Sequence, residues 1–146
     1  MGMFLGIDAS SSGLTAERLR MDVIANNIAN ANTTAYHRRY VVFNPRENKP
    51  TGFDEVLKKA RGGSSSRKNI GEGVRAVAIQ EDTTQGPLVY APDHPEANAD
   101  GYIEKPNVNV VTEMVDMITA HRAYEANTTA INAAKTMFLK ALEIGR

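Results

Sequence analysis

The chain has 146 residues, enough for one domain with a packed centre, and its 17 basic and 17 acidic residues cancel, so no net field draws it to a polyanion or an anionic membrane. Cysteine is absent, which excludes disulfides, thiolate metal sites and cysteine nucleophiles. No run of 18 apolar residues marks a membrane span, and the opening Met1-Gly2-Met3-Phe4-Leu5-Gly6-Ile7 has no basic n-region and stops at Asp8, so it does not read as a cleaved signal.

Residues 1–35 predict one long amphipathic helix. Phe4, Ile7, Leu14, Met21, Ile24, Ile28 and Ala31 fall on one stripe, and Ile7, Leu14, Met21 and Ile28 recur every seven residues, the interval of a coiled-coil seam. Ser10, Ser11, Ser12 and Gly13 interrupt it early, and weak helix formers there predict loose first turns in a free monomer. A second stripe runs Leu19, Val23, Asn26, Asn30, apolar at first and amide at the end. Asn26, Asn27, Asn30 and Asn32, followed by Thr33 and Thr34, compete for the backbone and end the helix. Two readings of these amides stand: capping and fraying, or a row bonded across to Asn127, Thr128 and Asn132 or to a neighbouring chain, fixing register as buried Asn does in coiled coils.

Residues 36–107 follow a different pattern. Tyr40 to Phe43, Val74 to Ile79 and Leu88 to Tyr90 predict short strands, bounded by Asn44-Pro45 and Ala91-Pro92. Phe53 to Lys59 fits a helical turn or a strand, and the stretch 61–72, opening Arg61-Gly62-Gly63 and containing Ser64-Ser65-Ser66, reads as a basic flexible loop. Four prolines between 87 and 106 make this a turn-rich β insertion.

Residues 108–146 predict the second long helix, with Asn109 as N-cap, Glu113 and Asp116 near the positive end of its dipole, and Gly145 as C-cap. Val110, Met117, Tyr124, Ile131 and Phe138 repeat every seven residues, and Ala120, Asn127, Ala134 and Ala141 follow the last four of them by three. Large alternates with small, which lets a partner helix come close. Val111, Met114, Val115, Ile118, Leu139 and Leu142 widen the apolar face beyond what one partner covers.

Candidate chemistry is thin. His121 and Glu125 share an i, i+4 spacing that can offer two metal ligands, but Met117 separates them from Glu113 and Asp116, Arg122 marks a solvated face, and no third ligand is evident. Asp93-His94 lies between Pro92 and Pro95 and reads as a turn. Neither serine triplet sits in a nucleophile elbow. Lys58, Lys59, Arg61, Arg67 and Lys68 lack the interleaved aromatics of a nucleic-acid surface. No catalytic residue, cofactor or metal is assigned.

The string Leu19-Arg20-Met21-Asp22-Val23-Ile24-Ala25-Asn26-Asn27-Ile28-Ala29-Asn30-Ala31-Asn32-Thr33-Thr34 resembles the N-terminal signature of the bacterial flagellar rod and hook family. Gly101-Tyr102, then Pro106-Asn107-Val108-Asn109-Val110-Val111-Thr112-Glu113-Met114-Val115-Asp116-Met117-Ile118 and Arg122-Ala123-Tyr124-Glu125-Ala126-Asn127, resembles its C-terminal signature. The unbroken PNVNVVTEMVDMI string and short length point to the proximal-rod members. Thr34-Ala35-Tyr36 departs from the pattern, since many relatives have Pro-Gly before the aromatic. The resemblance implies a nonenzymatic rod subunit of the basal body, exported uncleaved by the flagellar type III apparatus and built into a shaft that crosses the periplasm. Its partners would be copies of itself, other rod proteins, the membrane-ring adaptor and the export apparatus.

The expected fold is therefore mainly α with a small β insertion, the terminal helices paired as a coiled-coil-like stalk. Ile7, Leu14, Met21, Ile24 and Ile28 are expected against Met117, Tyr124, Ile131, Ala134 and Phe138, with Asn26, Asn27, Asn30 and Asn127 setting register within or between subunits. The rival classes are a metal-dependent hydrolase centred on His121 and Glu125, and a soluble coiled-coil adaptor or export-linked binding module.

Overall fold

Two helices carry the chain's ends: α1 (Gly2–Ala29) and α2 (Val110–Ile144). Between them lie two antiparallel strand pairs, β1 (Arg39–Pro45) with β2 (Val74–Glu81), and β3 (Leu88–Tyr90) with β4 (Tyr102–Glu104). This computed structural model describes residues 2–46 and 73–144; the Phe53 to Lys59 segment, the basic stretch 61–72 and Gly145 lie outside the described residues. The mainly α class with a small β insertion is the observed one.

Local chemistry explains where the helices start and stop. Asn109 Oδ1 accepts the Val111 and Thr112 N–H groups at 3.0 and 3.3 Å, so it caps α2 as its residue type requires. Ser12 and Thr15 donate their hydroxyls to Ala9 and Ser11 carbonyls at 2.7 and 3.2 Å, and the Ser10 to Gly13 stretch stays helical. Beyond Ala29 the chain tightens through Ala31 N–H to Ile28 O and Thr33 N–H to Asn30 O, then reverses at Ala35, where φ is +55°. Ala35 N–H donates to Glu104 O at 3.3 Å, tying this corner to β4.

The helices are antiparallel. Gly13 faces Asn127 and Asn27 faces Glu113, so the interval is fourteen residues on each helix (13 to 27, 113 to 127), two heptads. A Cβ at Gly13 would come within 2.9 Å of Asn127 Nδ2; the backbones meet there because that carbon is missing. Ala16, Val23 and Ile24 of α1 and Ala120 of α2 are buried, Ala120 completely.

α1 is the middle layer. It touches α2 and the β1/β2 hairpin, whereas α2 packs on no other described element. The hairpin lies along α1, bonded to Asn27 at the start of β1 and to Ser12 Oγ through the Val74 N–H at 3.0 Å. Residues 12 to 27 of a helix rise about 22 Å and a seven-residue strand spans about 23 Å, so the two elements match in length. Val42 pairs with Ala78 and Phe43 with Ala76, which leaves Val77 as the extra residue of a bulge. Among the described residues β3 and β4 pair only with each other; Gly86 N–H to Glu104 Oε1 at 3.1 Å and Lys105 N–H to Pro87 O at 3.0 Å fix their base.

Ala35 occupies the left-handed region that costs a side-chain-bearing residue about 1–2 kcal/mol and glycine little. After the larger unfolded-state freedom of glycine is deducted, Ala35→Gly is expected to stabilise the chain by about 0.5–1 kcal/mol, read as a raised urea midpoint at unchanged m-value.

Candidate functional site

Where α1 packs on the start of α2 and the chain enters β1, two polar side chains are wholly buried: Asn27 near the end of α1 and Glu113 in the first turn of α2. Asn27 Nδ2 donates to Arg39 O at 2.7 Å and to Glu113 Oε2 at 2.9 Å. Its Oδ1 accepts the Arg39 N–H at 3.0 Å and the Tyr36 hydroxyl at 3.0 Å. All four hydrogen-bonding positions of the amide are used, and its orientation is forced, because a carbonyl and a carboxylate can only accept. By bonding both the N–H and the C=O of Arg39, the amide stands in for a residue of a neighbouring antiparallel strand. The grip on β1 is therefore to backbone.

Glu113 would be costly to bury alone. Its second oxygen, Oε1, accepts Arg38 Nε–H at 2.6 Å, and Arg38 Nη2 reaches Asp116 Oδ2 at 3.3 Å. Asn107 steadies Arg38 from the other side: its Oδ1 accepts the Arg38 N–H at 2.7 Å while its Nδ2 donates to Asp82 O and Thr84 O at 3.1 and 3.0 Å. The hydroxyl and N–H of Thr84 donate to the Asp82 carboxylate and hold it below the usual carboxylate range. Burial raises the Tyr36 hydroxyl above the ordinary tyrosine range despite the Arg39 cation beside it, so it stays a donor to Asn26 and Asn27. Tyr36 also carries the Arg39 guanidinium 5.8 Å from its ring centre.

The residues picked out in the sequence are distributed along this frame. Ile24 and Asn27 are buried; Ile7, Leu14, Met21 and Ile28 of α1 and Met117, Tyr124, Ile131 and Ala134 of α2 are half-buried along the flanks of the seam; Phe138 is 40% exposed. The small residues form the middle, so the backbones close up and the large heptad side chains stand beside the contact. Asn30 Nδ2 bonds Asn26 O at 2.9 Å, within its own helix. The amides do not reach Asn127, Thr128 or Asn132: Asn127 and Thr128 bond back to Ala123 O and Tyr124 O at 3.0 Å each, because the register puts Asn127 opposite Gly13. His121 faces Glu125 at 3.3 Å on the solvent side, and no group of three metal-type ligands comes together among the described residues.

Neither Arg38 nor the burial of Glu113 was foreseen. An acid in the first turn of a helix is explained by the dipole alone, and Arg38 sits in a stretch without periodicity. The signal that could have found them was the pairing of an unsatisfied amide run on one helix with an acid on the other.

Two family models match the chain: "Flagella basal body rod protein" over residues 7–37 and "Flagellar basal body rod FlgEFG protein C-terminal" over residues 99–144. The flagellar basal-body rod protein FlgC of Borreliella burgdorferi is 46% identical, with 99% of this chain and 98% of that protein aligned. FlgC of Bacillus subtilis is 43% identical over the full length of both, and FlgC of Salmonella typhimurium 34% identical over 95% of each. The chain belongs to the FlgC family of flagellar basal-body rod proteins. As a FlgC-family member it is a structural subunit of the flagellar rod rather than an enzyme. Within this FlgC-family chain the buried lock joins the two matched segments, Asn27 lying in the first and Glu113 in the second.

Removing the amide leaves Arg39 backbone groups and a buried carboxylate oxygen unpaired, so Asn27→Ala is expected to cost about 3 kcal/mol or more in urea unfolding. Glu113→Gln keeps the shape but aims an NH2 at a donor, and about 1–3 kcal/mol is expected. A double-mutant cycle on the two should show coupling well above the ~0.5 kcal/mol seen between independent sites; additive losses would mean the contact carries no energy of its own. The Tyr36 hydroxyl favours its neutral form in the fold, so its contribution is complete below pH ~10 and disappears as pH rises through the raised value. Tyr36→Phe should flatten that part of the alkaline stability curve.

Proposed function

We propose that this subunit assembles through its paired terminal helices into the tubular drive shaft of the flagellum, with neighbouring subunits covering the face of α2 that α1 leaves open. The observation that carries this is the exposed apolar surface of α2: Val111, Met114, Val115 and Ile118 near its start, on the side turned from α1, and Leu139 and Leu142 near its end, each more than half exposed. Exposed apolar clusters of this kind on a helix mark an interaction surface. α2 is also the longer helix, so its last turns extend beyond the start of α1 and reach toward another molecule.

In this reading the shaft crosses the periplasm, transmits torque and carries exported subunits through its bore. The chain reaches its place uncleaved, through the flagellar export apparatus, and binds copies of itself, other rod proteins and the membrane-ring adaptor. Ile7, Leu14, Met21 and Ile28 with Met117, Tyr124, Ile131, Ala134 and Phe138 line the seam and its flanks, where a neighbouring helix finds half-covered apolar surface. The FlgC relatives, matched along their full length, support the rod reading over the adaptor reading.

Met114→Glu with Ile118→Glu charges the open strip without touching the α1 contact. The purified variant is expected to keep its helix content and unfolding midpoint, while cells carrying it lose motility and accumulate basal bodies truncated beyond the membrane ring. Ala134→Trp, which overpacks the seam edge, should block rod formation in the same assay. Normal motility from both variants would rule out helix-face packing as the basis of assembly. Co-sedimentation with a purified neighbouring rod protein separates a polymerising subunit from a soluble adaptor, which would bind without growth.

A further inference from the structure

Ser10-Ser11-Ser12-Gly13 is a run of weak helix formers, yet α1 passes through it without a break. Contacts from two directions meet at this stretch. On one side Gly13 is buried against the Asn127 side chain of α2. On another, Gly73, which leads into β2, stands so close that a Cβ there would overlap Ser12 Oγ and come within 3.1 Å of the Ala9 Cα. Gly73 has φ +87°, a backbone conformation that favours glycine, so residue type and position agree.

Ser12 completes the second approach with hydrogen bonds. Its hydroxyl donates to Ala9 O at 2.7 Å, which leaves the oxygen's lone pairs to accept, and the Val74 N–H donates to that oxygen at 3.0 Å. Beside it the Arg46 N–H donates to Gly73 O at 2.9 Å, so β1 and β2 are drawn together at the same place. The β1/β2 hairpin is thereby fastened to α1 twice, by Asn27 at Arg39 and by Ser12 at Val74, at points fifteen residues apart on the helix (12 to 27). The helix in turn gains, from a strand entry far along the chain, the order that its own residues at 10–13 supply poorly.

We propose that the β1/β2 hairpin is a strap with Ser12 as its latch. Fastened, it keeps the opening turns of α1 helical; released, residues 2–12 uncoil while the Asn27 corner stays closed. The register that sets Gly13 opposite Asn127 lays residues 2–12 along 128–138 of α2, so release also uncovers that stretch of the longer helix. A chain therefore offers a complete helix pair only once its hairpin has closed. That consequence deepens the assembly reading above, whereas the latch belongs to the single chain and is tested there.

Alanine is a better helix former than serine, so propensity alone makes Ser12→Ala tighten the helix, and loss of the latch makes it loosen. Amide hydrogen exchange on the purified full-length chain reads the sign. Ser12→Ala is expected to speed exchange of the amides of 6–12 severalfold while those of 23–29 keep their protection. Gly73→Ala, which pushes the strand entry off the helix without altering α1, is expected to do the same. Slower or unchanged exchange at 6–12 in Ser12→Ala, intact protection there in Gly73→Ala, a rise that reaches 23–29 equally, or an unmodified chain already unprotected at 6–12 would each overturn the latch. None of these results touches helix-face packing between subunits. Normal motility from the Met114→Glu, Ile118→Glu and Ala134→Trp variants would sink that packing and leave the latch standing.

Discussion

The hydrogen bond between the Asn27 amide and the Glu113 carboxylate selects the register on which the rest of the molecule is built. The apolar seam cannot do so alone. Ile7, Leu14, Met21 and Ile28 repeat at the same seven-residue interval as Met117, Tyr124, Ile131 and Phe138, so sliding one helix by a heptad restores nearly the same apolar pairing. The slide would carry Asn27 off Glu113 and leave a buried carboxylate and a buried amide without partners, a loss of several kcal/mol. The polar pair thus contributes selectivity where the apolar repeat is degenerate. Because the same amide also holds both backbone groups of Arg39, one side chain positions the second helix and the first hairpin together.

Much of the architecture was legible because its signals are local or periodic. Heptad spacing marked both helices, Asn109 marked the start of the second, and β-branched and aromatic runs marked the first three strands. β4 was missed because Tyr102-Ile103-Glu104, between Gly101 and Lys105, lacks the unbroken apolar run that marked Leu88 to Tyr90, with which it pairs. The division of the seam was also misread in part. The alternation of large with small residues foresaw close approach at Ala120, whereas the part played by Gly13 and Ala16, and the place of the large heptad residues on the flanks of the contact, were not foreseen. The partnership of Arg38, Glu113 and Asn27 joins residues far apart in the chain, and no spacing rule reaches that far.

The inward and outward faces of α2 have separate tasks. Inward, Glu113 and Ala120 are completely covered by α1 and its corner. Outward, methionine, valine, isoleucine and leucine remain in solvent over several turns. In a monomeric enzyme such a distribution would be a liability for aggregation. In the proposed assembly it is the surface on which subunits meet, and the buried pair keeps it correctly presented.

The polar lock is at one end of the helix pair; a glycine faces an asparagine midway along it, and the far end relies on half-covered aliphatic side chains. The pair therefore behaves like a clothes peg with its spring at the Asn27 corner. Thermal opening starts at the tips, where hydrogen exchange should be fastest, and closes back toward the spring without loss of alignment. A newly arriving copy can part those tips and find them returning to one fixed setting.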